Sequence, residues 1–170
     1  ESRISRGILR EMKKGRDIEF LYEIGSLRHI PRAWIQHLRA DCASNLEHTV
    51  RVAFLALIIA RKEGVKDAEK LLKMTLIHDM AEARTADLAY VHKVYTTSDE
   101  KRAAHDQLSG TSLENFNDIL VEYEARTSIE AKIVKDADNL DIDLELKELE
   151  EVGNTVAIKK GPLRKFVRDT

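Results

Sequence analysis

Residues 71–90 read LLKMTLIHDMAEARTADLAY, and the fold turns on why a helical, mostly apolar stretch carries His78, Asp79 and Glu82 where packing favours Leu or Ala. A core helix gains nothing from three titratable groups within about two turns unless they are paired, solvated or bound to something. Asp67 supplies an N-cap ahead of the stretch, and the spacing predicts a helix through residues 71–83. Adjacent helical positions diverge by about 100°, yet His78 and Asp79 are long enough to converge on one ion near the helix surface. Imidazole and carboxylate together suit a divalent metal of intermediate hardness. The plainer alternative is a polar helix edge with His78 and Glu82 as an i, i+4 pair.

A partner must come from elsewhere in the chain. Residues 52–60, VAFLALIIA, lie in a helix expected from Leu46 to Lys62 that is apolar nearly all round and so expected to be central. His48 opens that helix, and its i+4 and i+7 neighbours Val52 and Leu55 turn its ring toward buried surface. Alone it reads as a hydrogen-bonded structural histidine, since those outnumber ligands. The third element is IVKDADNLDIDL at 133–144, with an apolar stripe through Ile133, Val134, Ala137, Leu140 and Leu144. Asp138 borders that stripe, whereas Asp136, rotated by about 200° from it, should face solvent. His48, His78, Asp79 and Asp138 lie on three separate segments, and together they would leave two positions open on a six-coordinate ion. That arrangement suits a metal that also binds water and substrate.

The remaining punctuation is helical. Phe20, Leu21, Ile24 and Leu27 follow Asp17 at helical spacing, and Ile30-Pro31 ends that element. PRAWIQHLRADCASN, at 31–45, reads as irregular; Arg39 and Ser44 within it stand where they could help line a pocket. Ser98 is the expected N-cap of a segment ending near Gly110. Leu113, Phe116, Ile119, Leu120 and Tyr123 form a stripe, and Thr127 with Glu130 has capping-box spacing for a long helix stopping near Gly153.

A length of 170 residues suits one domain with a sizeable core, and 43% hydrophobic against 34% charged residues with only 7 Gly and 2 Pro favours helices over a turn-rich β-sandwich. A formal net charge of -2 offers no global basic field for a nucleic acid polymer, so an anionic substrate must be met locally. The single Cys42 excludes an internal disulfide framework, and no apolar N-terminal run suggests a signal peptide or membrane span. A cytoplasmic, reducing setting is expected.

His48, His78-Asp79 and Asp138 in KDAD, spaced this way on a helical chain, resemble the HD-domain metal-dependent phosphohydrolases. IPRAW, SNLEHTVRVA, MTLIHDMAEARTADLA, EYEARTSIEAKIVKDADNLD and the later ELE are similar to its small 5'-deoxynucleotidase-type branch, over roughly residues 16–152. The resemblance implies an all-α, single-domain helical bundle of the HD-domain type spanning residues 1–170, with a basic tail at 153–170. It also implies one divalent ion (Mn, Co, Mg, Fe or Zn) on His48, His78, Asp79 and Asp138, a nucleoside 5'-monophosphate substrate and a homodimer. Hydrolysis would proceed by in-line attack of a metal-bound water on the 5'-phosphate. Arg32 and Trp34 correspond to residues at the substrate phosphate and sugar, and Glu82 and Asp87 to acidic residues beside the metal. Glu82 is expected to do acid/base work and Asp87 to orient water or a sugar hydroxyl; Lys93 is a further candidate phosphate contact. The chain departs from the branch pattern at Ala33 and Ala86, where glycine is usual, and IPRAW is one residue shorter than the common form. Two rival readings are an HD phosphohydrolase of another nucleotide and a non-catalytic binding module stabilised by metal; open coordination positions, Glu82 and Arg32 favour catalysis.

Overall fold

The computed structural model describes residues 7–8, 11–12 and 15–159. Its order is α1 (Asp17–Ser26), a 3-10 turn (Leu27–His29), α2 (Ile35–Leu38), α3 (Asn45–Lys62), α4 (Ala68–Ile77), α5 (Glu82–Thr85), α6 (Tyr90–Lys93), α7 (Glu100–Leu108), α8 (Phe116–Ala125) and α9 (Ile129–Glu151). Among the described residues there is no strand, only an isolated antiparallel bridge between Pro31 and Ser44, so the all-α expectation holds. Residues 160–170 of the basic tail lie outside the described residues. No described helix is long and apolar enough to cross a membrane.

α3 begins one residue earlier than its apolar pattern, because Ser44 and Glu47 form a capping box. The Ser44 hydroxyl accepts from the Glu47 amide at 3.3 Å, and the Glu47 carboxylate accepts from the Ser44 amide at 2.7 Å. This start sets the helix rotation, turning Asn45, His48, Thr49, Val52, Ala56 and Ala60 inward. The helix is not central on all sides, as its composition suggested. Val50, Phe54 and Ile58 recur every four residues and are exposed, Phe54 by 65%. Gly64, at φ +71°, ends α3 in a Schellman turn that lets the Val65 amide donate to the Ala60 carbonyl at 2.9 Å.

Two other caps differ by one residue from the sequence reading. Asp99, not Ser98, accepts the Arg102 amide at 3.0 Å, while Ser98 donates its hydroxyl to Glu100. Ser128, not Thr127, accepts the Ala131 amide at 3.2 Å, and Glu130 is drawn away to Lys70, 3.1 Å distant. In both cases the winner is the residue whose side-chain oxygen reaches an unpaired N-terminal amide.

α9 packs along α3 and α4. Its inward stripe follows the expected Ile133, Val134 and Ala137, but then passes through Asp141, Ile142, Glu145 and Leu146. Leu140 and Leu144 are partly exposed instead. The inversion has a polar cause: Asp141 meets His48 and Arg51, and Glu145 accepts the Ala43 amide at 2.7 Å, so each buried acid has a donor within the fold. Asp136 is exposed, as its rotation implied.

The larger core joins Val52 and Ala56 of α3, Leu71 and Met74 of α4, Leu108, Leu120 and Val134. A second, smaller core joins Leu38, Ile142, Leu146 and Ala157, with Trp34 and Cys42 packed against it. Asn154 ties these pieces together, donating to the Leu38 carbonyl at 3.1 Å and accepting from the Val156 and Ala157 amides at 3.0 and 3.1 Å. The stretch expected to be irregular is therefore held by a short helix, a bridge and its own core. Leu38 is 1% exposed, so Leu38→Ala should lower stability by about 2–5 kcal/mol, measured by urea unfolding of the metal-free protein.

Candidate metal centre

The 71–90 stretch is not one helix. α4 ends at Ile77 with His78 as its C-cap, a turn spans 78–81, and α5 restarts at Glu82. Short i→i+3 bonds tighten this turn: the Met80 amide donates to the Ile77 carbonyl, Glu82 to Asp79, and Ala83 to Met80, at 3.1–3.3 Å. His78, Asp79 and Glu82 thus reach one site from a turn, rather than from one face of a continuous helix.

Both histidines have their outer nitrogen engaged. Nδ1 of His78 donates to the Thr75 carbonyl at 2.7 Å, and Nδ1 of His48 lies 2.6 Å from Asp141 Oδ2. The Nε2 atoms of both are buried without a hydrogen-bond partner. They face the same carboxylates: Asp79 Oδ2 is 3.4 Å from His48 Nε2 and 3.3 Å from His78 Nε2, and Asp138 Oδ1 is 3.3 Å from His48 Nε2. One ligand atom from each of His48, His78, Asp79 and Asp138 lies within 4.8 Å of the others. Donor atoms about 2.1 Å from a shared ion would stand about 3.0–3.4 Å apart, close to the spacings found. Two orphaned imidazole nitrogens beside two carboxylates therefore fit a divalent cation.

The electrostatics agree. Burial alone would lower His48, but the surrounding carboxylates of Asp138, Asp141 and Asp79 outweigh it and raise the ring to about 10 in the metal-free protein. Burial would raise Asp79 and Asp138, yet the histidines beside both, with Arg32 beside Asp79 and Lys135 beside Asp138, hold them below the usual carboxylate range. Glu82 goes the other way, pushed up to about 9 by burial and then by Asp79 and Asp87, against the pull of Arg32.

The cluster lies beside a cavity of about 430 Å³, a size suited to small ligands. Arg32, Trp34, Asp79, Glu82, Asp87, Lys93 and Asp138 all line it, so every substrate-side residue expected from the sequence is gathered there. Arg32, only 6% exposed, places Nη1 at 3.2 Å from Asp79, 3.4 Å from Asp87 and 3.9 Å from Glu82. Asp87 accepts the Ala33 amide at 2.9 Å and caps nothing, the residue before α6 being Ala89. Lys93 stands at the rim, 3.9 Å from Glu100. Arg39 and Ser44 do not line the cavity: Arg39 ends α2 in a left-handed conformation and Ser44 caps α3, whereas His37 does line it.

Sequence reasoning missed Asn45 and Lys135. Asn45 is fully buried, accepts from Arg32 at 3.4 Å and donates to the Glu82 carboxylate, locking acid and guanidinium together. Its signal was a polar residue opening an apolar helix. Lys135 donates to Asp138 Oδ2 at 2.7 Å and lines the cavity, one turn before the acid it serves.

A helical domain built around an open cluster of two histidines and two aspartates is the class that this fold and site define. The family described as HD domain matches residues 24–164, and the chain belongs to it. Similar proteins include the 5'-deoxynucleotidase HDDC2 of Danio rerio, 28% identical over 160 residues (90% of this chain, 77% of the relative). That of Bos taurus is 29% identical over 160 residues, covering 90% and 75%. Among solved structures, a conserved hypothetical protein from Pyrococcus furiosus aligns with a TM-score of 0.71 at 31% identity, over 82% of this chain and 83% of that one. A protein from Pyrococcus horikoshii OT3 aligns with a TM-score of 0.71 at 29% identity, over 84% and 83%.

Two expectations follow. Ala86, just before Asp87, has φ +61° and ψ 159°, a region that is nearly exclusive to glycine and costs about 1–3 kcal/mol for other residues. Ala86→Gly should therefore raise stability by about 1 kcal/mol after the chain-entropy cost of glycine, read by urea unfolding. Because His48 is raised from 6.5 to about 10, its contribution to metal-free stability is complete below 6.5 and is lost as pH rises toward 10. A cation must displace that proton, so calorimetric titration in two buffers at pH 7 should show release of about one proton per ion, with affinity weakening as pH falls.

Proposed function

We propose that this chain is a divalent-metal-dependent 5'-nucleotidase that releases phosphate from deoxynucleoside or ribonucleoside 5'-monophosphates. The observation carrying the reading is the convergence of two unpartnered imidazole nitrogens and two aspartates beside Arg32 and Glu82 in one small-ligand cavity. The names of the relatives point to the same substrate class. His48, His78, Asp79 and Asp138 hold the ion, which is Mn, Co, Mg, Fe or Zn. When bound, such an ion supplies Lewis acidity and makes hydroxide available near neutral pH.

The rest is work for the chain itself. Arg32 presents its guanidinium to the phosphate, with Lys93 and Lys135 adding positive charge at the cavity wall. Trp34 and Asp87 meet the sugar, Asp87 being held in place by the Ala33 amide. Glu82 is the general acid. Its raised affinity for a proton keeps it neutral near pH 7, and a cation beside it draws that value back toward the working range. As the bond between phosphorus and O5′ breaks, O5′ takes the Glu82 proton, and Glu82 recovers one from the water that becomes part of the released phosphate.

Residues 1–170 form a single HD domain in this reading. The exposed Val50, Phe54 and Ile58 row of α3 supports a homodimer, and the free Cys42 fits a reducing cytoplasm. The balanced charge gives no support to a nucleic acid polymer as partner.

Asp138→Ala should abolish both metal retention and phosphate release from a panel of 5'-monophosphates; a variant that keeps both near the wild-type level refutes the ligand set. Glu82→Gln should retain the metal and lose about 10²–10⁴-fold in kcat. Activity of the wild type should fall as pH rises through the Glu82 deprotonation, and that alkaline limb should vanish from the kcat/KM profile of Glu82→Gln.

A further inference from the structure

The two histidines of the cluster are held by different kinds of acceptor. His78 leans on a backbone carbonyl, whereas His48 leans on a carboxylate, Asp141, that is itself 1% exposed. A buried carboxylate with one hydrogen bond would be costly and free to rotate. Asp141 has neither problem, because Oδ2 takes His48 Nδ1 and Oδ1 takes Arg51 Nε. Arg51 is fixed in turn by Glu148, whose carboxylate accepts from Nη1 at 2.7 Å and is well exposed at the surface.

We propose that Asp141, clamped by Arg51, is the positioning residue for His48: it holds the proton on Nδ1 and the ring plane in place, so that Nε2 stays aimed into the ligand cluster. The proposal rests on the reading that this cluster holds a metal ion. A row of side chains, Glu148, Arg51, Asp141 and His48, runs from the surface to the centre, each joined to the next by one hydrogen bond. A carboxylate does more here than the carbonyl behind His78, since its full negative charge raises the donor strength of the opposite ring nitrogen. His48 therefore acts as the stronger imidazole ligand and His78 as the weaker.

The test uses chelator-stripped full-length protein, shown to be folded by circular dichroism, with cobalt binding followed by its visible absorption. Asp141→Asn should bind Co²⁺ about 10–100-fold more weakly than wild type. Asp141→Glu, which keeps a carboxylate, should recover part of that loss, and Arg51→Gln should show a smaller loss in the same direction. Long-range proton–nitrogen spectra of zinc-loaded wild type should show His48 protonated at Nδ1 alone. A buried ion pair serving only stability would leave cobalt affinity and tautomer unchanged in folded Asp141→Asn, and that result overturns the proposal. Should Asp141→Asn fail to fold, the wild-type tautomer and Arg51→Gln decide: protonation at Nε2, or undiminished cobalt affinity in Arg51→Gln, overturns it. Wild type that binds no cobalt overturns the metal reading and this proposal together, whereas wild-type binding with an unaffected Asp141→Asn overturns this proposal alone.

Discussion

His48 is fully buried with carboxylates on both sides of its ring, Asp141 behind and Asp79 with Asp138 in front. Most of the molecule around the cavity follows from making that placement tolerable. Like charges this close in a poorly solvated setting repel strongly. Each of these acids is accordingly answered by a cation: Arg32 for Asp79 and Asp87 and Arg51 for Asp141 from distant segments, and Lys135 for Asp138 from one turn earlier on α9. The capping box on α3 and the tightened turn after α4 matter because they set the rotation and position from which these side chains meet.

The same balance governs what can enter. Asp79, Glu82, Asp87 and Asp138 line the cavity, and Arg32 is already engaged with the first three. Lys135 is likewise engaged with Asp138, so little positive charge on the wall is left uncommitted; a divalent cation held by the cluster would add charge that a phosphate dianion can meet. Cation first and nucleotide second is the order that this charge arrangement favours, which is how a chain of nearly neutral overall charge can serve an anionic substrate.

The helical class was legible from periodicity because apolar residues recur at helical spacing in most segments, and the histidines and aspartates of the cluster stood out because each interrupts or borders such a pattern. Burial by satisfied polar groups was not legible. Asp141 and Glu145 displaced Leu140 and Leu144 from the interior because their partners, His48, Arg51 and the Ala43 amide, lie about a hundred residues away in sequence, and a local pattern carries no information on them. The break after Ile77 was invisible for a related reason. HDMAEA contains no Gly or Pro and ends in the strong helix formers Met, Ala and Glu, and the tight turn is held by backbone geometry that side-chain periodicity does not encode. Ala86 shows the reverse: its departure from a usual glycine was plain in the sequence, and only the backbone angles reveal that the departure carries strain.

Asn154 fastens the Leu38 carbonyl and thereby the wall that carries Arg32 and Trp34. That fastening joins residue 154 to residue 38 and involves none of the four residues of the His/Asp cluster. The wall that carries Arg32 and Trp34 thus has an anchor of its own, apart from the candidate ligands on α3, in the turn after α4, and on α9. Loosening that anchor would widen the cavity while the cluster stayed in place, so the two halves of the site can vary independently within one fold.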